Sequence, residues 1–277
     1  MPATLSVRSI IFCVTACLTS VINAQEPATI WDREILAQPF DKEPFRQIAI
    51  PEWVQDTLGC GYTLSVMDRQ QREQAAAHGV RLSEMGFVDP FYAYYDSQLL
   101  KRRSPHVPLD RLTSEIAEYK RLGVRILGVY PPCLQAEVYE LHTDWRRIAT
   151  NTTEIPQTDM VTFPHGGMLC LLGPYGNFFI DVLAEILTKF PDVDAFSFDG
   201  LHYGGVCYCE HCRKNYRADS GADIPTADLN DPAFRRYQHW ADRQMEDLVR
   251  RMQNRLKSIK PEVALVTWTN CSVAGNG

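Results

Sequence analysis

The stretch "PLDRLTSEIAEYKRLGVRILGVY" (residues 108–130) decides the fold class, because it joins a helix to a strand through one short turn. Its first part carries apolar residues at helical spacing, namely Leu109, Leu112, Ile116 and Tyr119. Gly123 is a common helix stop, and the apolar run that follows it is typical of a buried strand. The stretch therefore predicts one helix–strand unit of an α/β protein.

The same order of helix and strand recurs along the chain. We predict strands over residues 62–67, 85–95, 124–130, 193–200 and 263–268, and helices over 69–79, 108–123, 174–190 and 231–260. Helices that alternate with strands through short joins imply a parallel sheet. The count is about five strands.

Two long connections, residues 131–173 and 201–230, follow predicted strands, and no Gly-rich dinucleotide fingerprint or phosphate loop does. This pattern favours an α/β fold of the (β/α)8 TIM-barrel type, in which function lies at the carboxyl ends of the strands. A closed barrel needs eight strands. We therefore expect residues 60–277 to form the N-terminal portion of a barrel, as a fragment or with the remainder elsewhere.

Composition and charge narrow the class of partner. The chain is 45% hydrophobic and 22% charged, with a formal net charge of −6, which is typical of a soluble globular protein. A strongly basic surface is excluded, so we expect neither nucleic acid nor an anionic membrane as a partner.

Residues 1–24 have the pattern of a secretory signal peptide. Arg8 precedes the apolar, small-residue run "SIIFCVTACLTSVINA", which ends at Ala24 before polar residues. We predict cleavage after Ala24 and a secreted or periplasmic mature protein; the alternative is a membrane anchor. Residues 25–59 are predicted to be irregular, with Trp31 and Trp53 as packing anchors.

Seven cysteines remain after residue 24: Cys60, Cys133, Cys170, Cys207, Cys209, Cys212 and Cys271. An odd number cannot pair completely within one chain. "CYCEHC" (residues 207–212) places three thiols on one tight loop, and zinc prefers four such ligands. Cys170 is the better fourth ligand, whereas His211 is adjacent to Cys212 and therefore competes poorly. The alternative is a local disulfide with one free thiol.

Asp199 ends the strand-like run "AFSFDG", and a carboxylate at the carboxyl tip of a barrel strand faces the barrel mouth. There it can act as a nucleophile or as a proton donor, whereas the alternative is a structural cap of the next element. His202 and Tyr203 follow at once in a glycine-containing loop, and they are candidates to bind substrate.

The segment "LHTDW" (residues 141–145) offers His142, Asp144 and Trp145 after another strand. An aromatic face can stack on a sugar ring, and histidine or aspartate can bond hydroxyls. The alternative is a loop packed by a buried tryptophan. Asp96, Glu137 and Glu140 are rim candidates with weaker placement.

The order of "HTDW", "CLLGPYGNFF", "VDAFSFDG" and "CYCEHCRKNY" resembles barrel glycoside hydrolases. It is most similar to the hypothetical glycosyl hydrolase 6 type, which includes α-L-fucosidases, and also to the zinc-containing β-galactosidases of glycoside hydrolase family 42. The resemblance covers roughly residues 60–270, and its sharpest part is 142–216.

The resemblance implies a structural Zn2+ held by Cys170, Cys207, Cys209 and Cys212. In the β-galactosidases one cysteine precedes a Ser-Pro and an aromatic, as Cys170 precedes Pro174-Tyr175, and three more form C-x-C-x-x-C. Their strand before the cysteine loop ends in Asn-Glu, whereas this chain has Phe198-Asp199. In the fucosidase-like relatives an aspartate at that strand end is the nucleophile.

These inferences predict a secreted glycoside hydrolase that acts on an oligosaccharide or glycoside, with Asp199 as the one identifiable member of a carboxylate pair. His142, Trp145, His202 and Tyr203 would line the sugar site. The alternative is a catalytically incomplete carbohydrate-binding barrel or a truncated gene fragment. A catalytic zinc hydrolase ranks below both, because four thiolates leave no site for water. A homo-oligomer is possible.

Overall fold

Five parallel strands form the centre of the computed structural model. The structure describes residues 51–55, 60–61, 67–148, 168–198, 201, 206–228 and 230–267, all within the unit Ala49–Gly277. The predicted signal peptide and most of the predicted irregular segment lie outside the described residues.

The strands follow one another in chain order across a single sheet. They are β1 (Cys60–Gly61), β2 (Leu82–Gly86), β3 (Arg125–Tyr130), β4 (Ala195–Phe198) and β5 (Ala264–Thr267). Every neighbouring pair is parallel, in the order β1-β2-β3-β4-β5. The register aligns Tyr130, Phe198 and Thr267, so the carboxyl ends of β3, β4 and β5 share one edge. The predicted parallel sheet of about five strands is confirmed.

Seven α-helices connect or flank these strands in the described part of the chain. They are α1 (Glu52–Gln55), α2 (Arg69–Ala77), α3 (Arg111–Leu122), α4 (Ala136–Leu141), α5 (Pro174–Lys189), α6 (Glu210–Ser220) and α7 (Pro232–Lys257). A 3-10 turn covers Thr143–Trp145. None of these helices combines the length and apolar composition that crossing a membrane requires.

Local sequence signals set several helix ends. Asp68 and Gln71 form a capping box at the start of α2, in which each side chain accepts a hydrogen bond from the other residue's backbone amide. Gly123 ends α3 in the left-handed conformation, with φ of 67°. Pro174 opens α5 at its first turn, as the sequence predicts.

Two sequence predictions were wrong in placement. The strand predicted over 85–95 ends at Gly86. The Asp89 carboxylate accepts hydrogen bonds from the backbone amides of Phe91 and Tyr92, each at 2.7 Å, and these bonds form a turn that leads the chain away from the sheet. The connections predicted as long loops contain α4 and α6. Most of the strand predicted over 62–67 lies outside the described residues.

The two faces of the sheet pack differently. One face carries the main core, into which α3, α5 and the C-terminal half of α7 insert buried residues such as Tyr119, Phe179 and Leu248. On the other face, Leu127, Ala195 and Ala264 pack against Trp53 of α1. The Trp53 indole donates to the Glu262 carbonyl at 3.4 Å. The prediction of Trp53 as a packing anchor is confirmed.

Gly176 in α5 lies where a side chain has no room. A β-carbon there would sit 2.2 Å from the Leu171 carbonyl oxygen and 3.0 Å from a methyl of Leu248. We expect Gly176→Ala to lower the free energy of unfolding by about 3 kcal/mol or more, because backbone must move to relieve the overlap. Thermal denaturation should show a fall in Tm of roughly 6–12 °C.

Gly173, three residues earlier, is the matched control. A β-carbon there would meet no atom closer than 3.5 Å, so Gly173→Ala should cost no more than about 1 kcal/mol. Equal melting temperatures for the two variants would show that α5 is not held against Leu171 as described.

Candidate metal centre and active-site rim

Four buried cysteines converge at one point. The sulfurs of Cys170, Cys207, Cys209 and Cys212 all lie within 4.8 Å of one another, and those of Cys170 and Cys212 are 3.5 Å apart. This is the only group of potential ligands in the described ranges that could hold a metal ion. The sequence prediction of these four residues as one set is confirmed as a geometric cluster.

The four thiols belong to two connections on the carboxyl side of the sheet, one after β3 and one after β4. Cys170 lies between the end of β3 and the start of α5, and its backbone amide donates to the Trp145 carbonyl at 2.8 Å. The other three follow β4. Cys209 is the N-cap of α6 and Cys212 lies three residues on, so both thiols occupy the helix N-terminus. There the helix dipole favours a thiolate.

A second hydrophobic core surrounds the thiols and is separate from the main core. It contains the four cysteines with Val206, Tyr208, Tyr216, Ile224, Phe234, Tyr237, Trp240 and Ala241. Tyr216 and Trp240 meet edge to face at 5.3 Å, and the Tyr237 hydroxyl accepts the Cys207 backbone amide at 3.1 Å. The sequence did not predict that these aromatic residues surround the thiols, although Phe234, Tyr237 and Trp240 recur at helical spacing in α7.

The thiols perturb one another electrostatically. Hydrogen bonds with the other three thiols, together with burial, raise the pKa of Cys170 well above its usual value. The hydrogen bond with Cys170 is the main cause that lowers the pKa of Cys209. The cluster thus favours a first thiolate and opposes further ones. A divalent cation would offset that opposition.

The donor set fits a tetrahedral zinc ion. Four sulfurs at about 2.3 Å from zinc lie about 3.8 Å apart in a tetrahedron, close to the sulfur separations in the cluster. His211 is not a member of the cluster; instead its ring lies beside Gly173. A sphere of four thiolates is closed, so the site can bind and brace but has no open position for water.

The fifth cysteine that the structure describes in detail, Cys133, belongs to the main core. It is buried, and burial raises the pKa of its thiol to about 11. None of these five cysteines forms a disulfide, so the structure does not contain the local disulfide that the sequence left as an alternative. The partners of Cys60 and Cys271 fall outside what the structure describes.

Asp199, His202 and Tyr203 lie outside the described residues. The chain is described on either side of Asp199–Gly200. Phe198 is fully buried and meets Phe179 edge to face at 5.6 Å, and Leu201 packs against the same core. The catalytic role of Asp199 and the substrate-binding roles of His202 and Tyr203 therefore stay predictions.

His142 and Trp145 are brought together. Their rings stack with centroids 3.8 Å apart and planes 9° apart, and Trp145 also contacts Phe178 at 5.8 Å. Both side chains are half-buried, so one face of the indole is already covered by the imidazole. Trp145 thus has the packing role that the sequence left as an alternative, and the contact with sugar stays a prediction.

Two carboxylates anchor the connection that follows β2. Glu137 is buried, and its two oxygens accept the backbone amides of Lys101 at 3.0 Å and Arg102 at 2.9 Å. Glu185 of α5 accepts the Tyr95 hydroxyl at 2.9 Å. The sequence suggested Glu137 only as a rim candidate and missed Glu185, because neither position carries a local motif.

The other two rim candidates are Glu140 and Asp96. Glu140 pairs with Arg102 at the surface. Asp96 is exposed, and its carbonyl accepts a hydrogen bond from Lys189 at 2.6 Å. Glu140 thus forms a surface ion pair, and Asp96 contributes a backbone hydrogen bond at the surface.

The fold is similar to that of solved glycoside hydrolases. One is α-L-fucosidase isoenzyme 2 from Paenibacillus thiaminolyticus, with a TM-score of 0.56 and 18% identity over 72% of this chain and 28% of that chain. A second is a catalytic mutant of a GH42 β-galactosidase from G. stearothermophilus, with a TM-score of 0.56 and 13% identity over 79% and 36%. A third is a β-galactosidase from Marinomonas ef1, with a TM-score of 0.51 and 12% identity over 75% and 36%.

The described part of the chain therefore has the fold of part of a (β/α)8 barrel, and the chain spans about a third of the length of the enzymes it resembles. The predicted fold class is confirmed. No family model matches the chain, and no curated protein matches it in sequence.

Proposed function

We propose that the chain is the barrel portion of a secreted glycoside hydrolase, fucosidase-like or galactosidase-like, whose strand-end aspartate lies beside a structural zinc centre. The observation that carries the proposal is the cluster of four buried thiols, three of which follow β4 closely in the chain. The similarity to fucosidase and β-galactosidase structures supports the substrate class.

Asp199 is the proposed catalytic carboxylate. Side chains alternate between the two faces of a strand. In β4, Ala195 packs on the face that contacts Trp53, whereas Phe196 and Phe198 pack in the main core on the opposite face. From this alternation we predict that Asp199 belongs to the same face as Ala195, which in a barrel is the interior face that leads to the substrate site at the mouth. Asp199 would attack the anomeric carbon or protonate the leaving oxygen.

The second carboxylate decides the stereochemical outcome. Two carboxyl groups about 5–5.5 Å apart favour retention, and a separation of about 6.5–9.5 Å favours inversion. His142, Trp145, His202 and Tyr203 are proposed to contact the sugar. The four thiolates would hold zinc and fix the connection between β4 and α6, while the ion itself takes no part in bond cleavage.

The substrate class is tested with the full-length protein and two aryl glycosides, 4-nitrophenyl α-L-fucoside and 4-nitrophenyl β-D-galactoside. We expect release of 4-nitrophenol from one of them at a rate that saturates with substrate. Calorimetric titration with the free sugars runs in parallel. A protein that hydrolyses neither glycoside and binds neither sugar would overturn the proposal.

A carbohydrate-binding barrel without catalysis is the second candidate. One observation favours it: β2 is followed directly by Phe87 and β3 by Pro131, so neither of these described strand ends is followed at once by a carboxylate. Sugar binding without turnover of either glycoside would select this function.

A further inference from the structure

We propose that residues 206–241 form a separate folding unit that is held closed by the metal, and that this unit opens while the main core stays folded. The inference rests on the proposed metal site. It concerns stability rather than catalysis, so it does not depend on which sugar the protein recognises.

The first support is the separation of the two cores. The cysteine core takes its buried residues from Cys170 and the segment 206–241, with Ile148 and Leu172 half-buried against it, and it shares no member with the main core. Apart from Cys170, its fully buried members all come from 206–241. A contiguous segment with its own core is the usual form of a unit that opens locally.

The second support is the pattern along α7. Its N-terminal half buries Phe234, Tyr237 and Trp240 in the cysteine core, whereas its C-terminal half buries Leu248 and Met252 in the main core. Between them, Asp242 and Arg243 are exposed, and Met245 is half-buried and already packs against the main core. The helix therefore passes from the cysteine core to the main core between Ala241 and Met245, which is where we expect opening to stop.

The third support is size. The segment 206–241 is shorter than about 40 residues, the length below which domains usually need a metal, disulfides or a partner chain. None of its three cysteines forms a disulfide, so no covalent cross-link closes it. One hydrogen bond that joins it to the rest of the chain runs from the Tyr208 amide to the Ile148 carbonyl at 2.9 Å. Four metal–sulfur bonds would then supply most of its stability.

The test is amide hydrogen exchange with mass spectrometry on the full-length protein, before and after a strong zinc chelator and again after Zn2+ is restored. Removing an ion that was present at 100 times its Kd should speed exchange about 100-fold in residues 206–241. Exchange in α5 and in residues 248–257 should change little. Zinc measured by mass spectrometry verifies each state.

Two variants give a matched comparison. Cys209→Ser should lose the ion and show the fast exchange of 206–241 without chelator. Cys133→Ser makes the same change at a buried thiol of the main core, and it should keep the ion and the protected segment.

Three results would overturn the inference. Faster exchange in α5 and 206–241 together would mean a single cooperative unit, and unchanged exchange after zinc loss would mean that the ion does not hold the segment. Protein purified from zinc-supplemented medium without bound metal would reject the metal site itself. Turnover of glycosides is decided separately, so a failed glycosidase assay leaves these results unaffected.

Discussion

Asp199→Asn is expected to lower kcat for the corresponding phenyl glycoside, whose leaving phenol is only weakly acidic, by ~10³-fold or more while the protein stays folded. The amide has nearly the same size as the carboxylate, but it neither attacks the anomeric carbon efficiently nor donates the acidic proton. Steady-state kinetics on the purified variant measure the effect, and circular dichroism verifies the fold. Activity within about threefold of wild type would remove Asp199 from the mechanism.

Asp194→Asn is the matched control, because Asp194 lies at the opposite end of the same strand. Its carboxylate accepts the Ile126 amide and the Arg125 guanidinium, each at 3.0 Å. This variant should lose stability but keep its kcat per folded molecule. An equal loss of kcat in both variants would mean that disruption of β4, rather than chemistry at its carboxyl end, causes the defect.

The leaving group separates the two roles proposed for Asp199. If Asp199 is the proton donor, a glycoside with a strongly acidic phenol needs little protonation and should keep much of its rate. If Asp199 is the nucleophile, every glycoside should lose its rate alike.

Cys212→Ser is expected to abolish stoichiometric zinc binding and to lower the first unfolding transition by roughly 6–12 °C. This corresponds to about 3 kcal/mol, the order of stabilisation given by an ion at 100 times its Kd. Cys212 is completely buried and lies 3.5 Å from Cys170, so one lost ligand opens the sphere. Differential scanning calorimetry with parallel metal analysis is the measurement.

Cys133→Ser again provides the control, because it replaces a buried thiol outside the cluster. It should retain one zinc per chain, and added chelator should lower its first transition as it does in the wild type. A Cys212→Ser protein that melts like the wild type and keeps its ion would show that Cys212 is not a ligand.

The order of elements was predictable because each helix of the barrel carries its own signals. Gly123 and Pro174 mark helix ends, and the apolar runs at 125–130 and 195–198 match buried parallel strands. The second strand was predicted over 85–95 but lies at Leu82–Gly86. The prediction was wrong because the apolar run continues through a turn that the Asp89 side chain stabilises by local hydrogen bonds. Such turns compete with the sheet and leave the hydrophobic pattern unchanged.

The metal cluster was predictable from spacing only in part. Cys207, Cys209 and Cys212 are close in sequence, so a tight loop must bring them together. Cys170 joins them through tertiary contacts, such as the hydrogen bond from its amide to the Trp145 carbonyl. The sequence suggested it because it precedes the helix that leads back to the strand before the cysteine loop, and the resemblance supported that choice. The loop anchors Glu137 and Glu185 could not be found, because their partners are backbone amides and hydroxyls far along the chain.

The most direct test of the account is X-ray absorption at the zinc edge on the protein as purified. If the four thiols of Cys170, Cys207, Cys209 and Cys212 hold the ion, the spectrum should fit four sulfur ligands at about 2.3 Å with no nitrogen or oxygen shell. A fit that requires nitrogen or oxygen ligands, or a protein without stoichiometric metal, would contradict the account.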